Sequence, residues 1–316
     1  MEERKLSELA EHMKRISIAG AILLLLIMLP LVTTRSDILT WSCLTFQYIL
    51  LSQSWNIIGG YAGQVNLGHA AFFGLGALTT RYLWLSELPL PLALLAGALM
   101  ATAFALLIGV PAFRLRGIYF VIGTLVLAEI LKVVIDTRLP VASVLPTPIL
   151  AIYSIVPRYY VSLIGGVLGL ATVYAIKHSK LGLGMIAIRE NEDAAKTSGI
   201  NILKYKLMAL AISTFLAGLA GGIFAFYMTA IQPGYVFAPV WTFDPVIIVF
   251  IGGIGTIIGP LIGSMFFVLL KQWMSLYLPG GFHLAVFGIL FILVVLYLPN
   301  GLIDVIRRHT RMKTFA

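Results

Sequence analysis

The feature that most constrains this chain is a succession of apolar runs, each long enough to cross a lipid bilayer as a helix of about 20 residues. They lie at 16–32, 38–58, 67–86, 90–112, 118–136, 155–176, 206–230 and 282–299, with a longer, glycine-interrupted stretch at 244–278. A soluble fold could not hide so much apolar surface: 60% of the residues are hydrophobic and 11% are charged, against about a quarter charged in ordinary soluble chains. In lipid each crossing must satisfy its own backbone, and helices do so. The expectation is an all-α integral membrane protein that passes a small solute. The first run could be read as a secretory leader, but it is long and no A-x-A site follows Val32 before Arg35. A retained first span is expected.

Lysine and arginine set the orientation. They gather in the N-terminal segment 1–15, at Arg114 and Arg116 in the turn after 90–112, through the polar loop 177–206, and in the tail 304–316. These groups hold most of the 22 basic residues, and alternate crossings put them on one side, which the positive-inside rule makes the cytoplasm. The net charge of +9 therefore reads as membrane orientation, not nucleic-acid binding. Both termini inside requires an even count. Splitting 244–278 at Gly252–Gly259 gives about ten crossings, some short or broken, within a transmembrane domain spanning 16–303.

That split coincides with Gly252, Gly253, Gly255, Gly259 and Gly263 around Pro260, a helix breaker. A similar cluster, Gly59-Gly60-Tyr61-Ala62-Gly63, then Gly68, follows the second run. Paired broken segments point to a transport site in repeat-built carriers, and close helix packing through small residues is the rival reading. Gln64, Asn66 and His69 add neutral hydrogen-bonding groups that suit a polar or zwitterionic solute, or else simply satisfy a helix end with Asn66 as cap. The candidate pathway residues are thus Gly63, Gln64, Asn66, His69, Gly252, Gly253 and Gly255.

No P-loop, H-E-x-x-H or G-x-S-x-G motif is present, the five histidines are scattered, and Cys43 is the single cysteine. No enzyme, cofactor or metal site is expected. Glu129, Lys132 and Asp136 share one helical face and read as a self-paired patch in preference to an ion relay. Asp244 before Pro245 reads as a helix N-cap, and Arg81 and Lys271 as snorkelling side chains. In the polar loop, Arg189 and Glu190 precede a two-turn helix capped by Asn191, carrying Glu192 and Asp193 in its first turn, then Ala194 and Ala195, and stopped by Gly199. So short a helix is marginal alone and implies a docking partner.

Several of these motifs resemble one family. Asp193-Ala194-Ala195 with Gly199 resembles the E-A-A-x-x-x-G loop of ABC importer permeases, a coupling helix that docks on the ATP-binding subunit. Residues 54–74, Leu115-Arg116-Gly117-Ile118-Tyr119-Phe120, residues 251–263 and Tyr297-Leu298-Pro299-Asn300-Gly301-Leu302 resemble, in order, the motifs of LivM-type permeases of branched-chain amino acid importers. The resemblance implies an ABC permease fold in the inner membrane and half of a translocation pathway. It also implies a second permease, two ATP-binding subunits and an extracytoplasmic solute-binding protein. The segment 137–157 departs from the family pattern, with Pro146 and Pro148 and no glycine, so a urea or short-amide importer is an alternative. An ion-coupled secondary transporter is the rival outside the family.

Overall fold

The computed structural model describes residues 17, 20–33, 35–139, 143–277 and 301–304, with scattered helical positions between 286 and 296. The N-terminal segment 1–15, most of the expected span 282–299 and the basic tail beyond Asp304 lie outside the described residues. The helices run in chain order as α1 (Gly20–Val32), α2 (Ser36–Trp55), α3 (His69–Leu85), α4 (Leu90–Ala112), α5 (Ile118–Arg138), α6 (Thr147–Ala151) and α7 (Ile155–Lys177). After them come α8 (Lys180–Glu190), α9 (Glu192–Thr197), α10 (Ile202–Tyr227), α11 (Pro233–Val236), α12 (Val240–Gly252) and α13 (Ile258–Tyr277). A two-residue antiparallel ladder joins Ser143–Val144 to Ala230–Ile231.

Among the described residues, six helical segments are long and apolar enough to cross a membrane. They are α4, α5, α7, α10, the combined segment Pro233–Gly252, and Ile258–Ser275 within α13. The count of about ten is therefore not established by these residues. Four expected crossings are not among the six: the run at 282–299 lies mostly outside the described residues, α1 is shorter than a crossing, and α2 and α3 fall short for physical reasons. Helix α2 is long enough, but Gln47, Ser52, Gln53 and Ser54 point into the protein and lower its apolarity. Helix α3 has 17 residues, because its first turn begins only after an irregular segment.

Helix α10 is the centre of the bundle and packs on α2, α3, α4 and α7. Small residues let it approach: a β-carbon on Gly76 of α3 would strike the backbone of Gly218 in α10, and one on Gly221 would strike the carbonyl of Phe73. Without a hydrophobic drive between helices in lipid, such close van der Waals contact is what holds spans together. Phe73, Phe224 and Trp241 interlock above this seam, with Phe73 and Trp241 stacked at 4.2 Å. By contrast, only 17% of the span in α5 is buried inside the chain.

Two expectations about charged residues are corrected. Asp244 does not cap a helix: α12 begins at Val240 after Pro239, and Asp244 and Pro245 lie inside it. Pro245 lies beyond the first turn, so it gives up the backbone bond that an N–H there would make to the Trp241 carbonyl. Arg81 does not snorkel. It is wholly buried and donates to the carbonyls of Ala225, Met228, Thr229 and Ser143 and to the Ser143 hydroxyl, at 2.8–3.3 Å. The C-terminus of α10 leaves carbonyls without intrahelical partners, and this guanidinium fills that need.

Candidate functional site

Where α2 ends, the chain does not stop cleanly. Asn56–Tyr61 winds as a single π-helical turn, a form common at functional positions. Gly59 makes room there for the Trp55 ring, and Gly63 leaves the turn with φ +68°. Between α12 and α13 the backbone opens again, with Gly253 at φ +129° and Gly255 at φ +72°. Both values lie where a side chain is strained. The two breaks meet. The Asn56 amide accepts from the Gly255 backbone N–H at 2.8 Å and donates to the Thr256 carbonyl at 2.8 Å. Gln53 donates to the Ile257 carbonyl at 2.6 Å, and Ser52 pairs with Ser264 at 3.2 Å. Peptide groups released from helix are thus recovered by side chains of α2 and of the π turn that follows it, as a membrane interior demands. Gly252 abuts the Gly259 backbone, and Gly301 closes on Gly253.

The neutral polar residues divide. Asn66 and His69 are buried within the chain. Asn66 accepts from the Gly68 N–H at 2.7 Å and its carbonyl receives the Trp55 indole N–H at 2.8 Å. Its side chain closes a turn ahead of α3, whose N-cap position is Gly68. His69 Nε2 lies 2.6 Å from the Ser54 hydroxyl, which donates to the Ser213 carbonyl at 2.9 Å. With that hydrogen committed, His69 donates through Nε2, and its buried Nδ1 is an acceptor without a partner among the described residues. Gln64 is half-buried and reaches toward Glu192 at 3.5 Å.

The polar loop supplies the third component. Asn191 caps α9 by accepting from the Asp193 and Ala194 N–H groups, both at 3.0 Å, and Gly199 ends it at φ +82°. Glu192 pairs with Lys206 at the base of α10. Asp193, Ala194 and Lys196 are exposed, whereas Ala195 is buried in this chain. Adjacent positions diverge by about 100° around a helix, so Ala194 faces outward while Ala195 packs on its own chain. Arg189, at the end of α8, reaches back to the first glycine break. Its Nη1 donates to the Gly60 carbonyl at 2.6 Å, and its stem lies against the face of Gly63 where a β-carbon would sit. The same guanidinium borders Gly255. Glu190 is exposed and 4.0 Å from Arg189. One side chain therefore touches both broken segments and directly precedes the capped helix.

A family model described as "Branched-chain amino acid transport system / permease component" matches residues 37–295. The chain belongs to this permease family. It is a multi-pass membrane transport component and not an enzyme. The chain is 28% identical to the high-affinity branched-chain amino acid transport system permease protein LivM of Escherichia coli K12, over 94% of this chain and 76% of that relative. It is 26% identical to a probable branched-chain amino acid transport permease protein LivM of Methanocaldococcus jannaschii, over 85% of this chain and 92% of the relative. The ribose import permease RbsC of Escherichia coli K12 is 29% identical over 43% of each chain. No solved structure matches the chain significantly.

The permease also holds charges whose arrangement its sequence did not disclose. Lys271 of α13 and Tyr48 of α2 both donate to Asp244 Oδ2, at 2.7 and 2.6 Å, and Lys271 lies 3.0 Å from the Tyr48 hydroxyl. Lys271 was expected to snorkel; a partner on the neighbouring helix holds it instead. Its i, i+27 separation from Asp244 carries no local pattern, so no sequence signal marked the pair. Glu129 and Lys132 do pair along α5, at 3.7 Å, as their spacing predicts, and the Asp136 carboxylate crowds the open face of Gly234.

Proposed function

We propose that this permease is one membrane subunit of an ATP-driven importer for branched-chain or similar amino acids. In this reading it crosses the inner membrane about ten times with both termini cytoplasmic, and supplies half the pathway. It works with a second permease, two ATP-binding subunits and an extracytoplasmic solute-binding protein. The observation that carries the reading is Arg189, which links a capped, outward-facing two-turn helix to the junction of two broken segments. Helix α9 is the docking element. When an ATPase subunit shifts it, Arg189 pulls on the Gly60 carbonyl and loosens the contact between the breaks at Gly60 and Gly255. Alternating access then follows as a rigid-body change in a bistable interface. Gly63, Gln64, Gly252, Gly253 and Gly255 flank the route, and Asn66 and His69 stiffen its wall. The substrate class rests on the printed functions of the relatives that align along most of the chain.

Reconstitution tests this. In proteoliposomes holding both permeases, the ATPases and the binding protein, leucine uptake should require ATP inside the compartment facing α9. Uptake by this chain alone, driven by a proton or sodium gradient, would instead establish an ion-coupled carrier. ATP-driven uptake of urea or short amides with no leucine uptake would reassign the substrate.

A further inference from the structure

Lys271 stands where α13 should hide an apolar residue. Pro260, Ser264, Phe267, Lys271 and Met274 follow at alternate steps of four and three, so they form one stripe along the helix. The other four are buried, yet Lys271 keeps 29% of its side chain exposed. The opposite side of α13 carries the exposed Met265, Phe266, Leu269 and Trp273. The opening at Lys271 therefore lies on the inward side of the helix. A charged group at membrane depth faces protein or an aqueous cavity, and such groups mark solute pathways.

The charges around that opening are not used up. Both hydrogen bonds to Asp244 end on Oδ2, which leaves Oδ1 without a partner among the described residues. Lys271 spends two of its three N–H donors, on Asp244 and on the Tyr48 hydroxyl. One acceptor and one donor of opposite charge thus remain side by side. An α-amino acid presents their complement: its carboxylate accepts from Lys271 and its ammonium donates to Asp244 Oδ1. A lone cation is repelled by Lys271 and a lone anion by Asp244, so the pair favours a ligand that carries both charges. Apolar surface lies close by, where the half-exposed Tyr235 packs edge-on against Trp241 at 5.8 Å and Trp241 stacks on Tyr48.

The pair also heads a file of polar side chains. Tyr48 and Ser52 of α2 and Asn56 of the turn after it recur at every fourth residue. They meet Lys271, Ser264 and the Gly255–Thr256 backbone in turn, over about 12 Å of helix. In the topology proposed above, α12 enters from outside and α13 returns there, so Asp244 and Lys271 lie on the extracytoplasmic side of the glycine junction. We propose, resting on the importer reading, that Asp244 and Lys271 form the outer recognition site for the ammonium and carboxylate of the transported amino acid. Solute handed over outside is held there before the breaks at Gly60 and Gly255 part.

Photo-leucine, a leucine with a diazirine in its side chain, probes the site in proteoliposomes holding the whole transporter, its binding protein and ATP. Irradiation during uptake should label wild type at Tyr235, Trp241 or within a turn of Lys271, as mapped by mass spectrometry. Asp244→Asn/Lys271→Met keeps the helices matched without charge. Assembled with its partners, it should lose that label and leucine uptake by about tenfold or more, as loss of charge-assisted hydrogen bonds allows. Wild-type label and uptake in the double variant overturn the site and leave the pair a helix clamp. Should that variant fail to assemble, the wild-type map decides alone. ATP-driven leucine uptake without label at these positions overturns the site while the importer reading stands. Label there without ATP-driven uptake sinks the importer reading and leaves the amino acid site in place.

Discussion

At Asn56 one amide holds two interrupted backbones together, accepting from Gly255 and donating to Thr256. Gly60 must stay without a β-carbon for this to work, because that carbon would occupy the place of Asn56 Oδ1 and press on the Gly255 nitrogen. Gly60→Ala should therefore separate the two breaks and reduce uptake while the subunits still co-purify; unchanged uptake would show that the junction tolerates separation. The Asp244–Lys271 pair makes a sharper prediction. Removing one member leaves a largely buried charge unpaired, which costs roughly 3–5 kcal/mol. Asp244→Asn and Lys271→Met alone should each lower thermal stability strongly in detergent, and the double variant should recover most of the loss. Equal loss in the double and the single variants would mean that the charges act independently.

Among the elements, α9 tests the docking role with two adjacent positions. Ala195 is buried in this chain and Ala194 is not. Ala195→Trp overpacks the permease itself, costing about 1–3 kcal/mol, so the chain's own stability should fall. Ala194→Trp should leave that stability intact and weaken co-purification of the ATPase subunit. Equal co-purification with wild type would remove α9 from the docking surface. Gly199→Val, at φ +82° with open space around it, should cost about 1 kcal/mol or more through backbone strain alone and lower uptake more than assembly.

The whole molecule was legible in the sequence where its signals are local. Apolar runs placed α4, α5 and α7 within a residue or two, the glycines placed the gap between α12 and α13, and Asn191 and Gly199 bracketed α9. What escaped was long-range. Arg81 looked like a snorkelling residue because the carbonyls it serves lie at Ser143 and 225–229, distant in sequence. Asp244 before Pro245 imitated a cap because the local rule knows nothing of Lys271. Arg189 could be placed in the loop from its neighbours, but nothing in the sequence tied it to Gly60.

Topology belongs to this scale too: cysteines at Ser179 and Thr314, in a Cys43→Ala background, should resist an impermeant thiol reagent in intact cells, and outside labelling of both would reverse the orientation. The central claim is that Arg189 transmits movement of α9 to the junction of the two breaks, and the most direct measurement is the ratio of leucine imported to ATP hydrolysed by the reconstituted Arg189→Ala transporter. The account predicts near-normal hydrolysis with uptake reduced about tenfold or more, as loss of one charge-assisted hydrogen bond of roughly 1.5–3 kcal/mol allows. A wild-type ratio would contradict it.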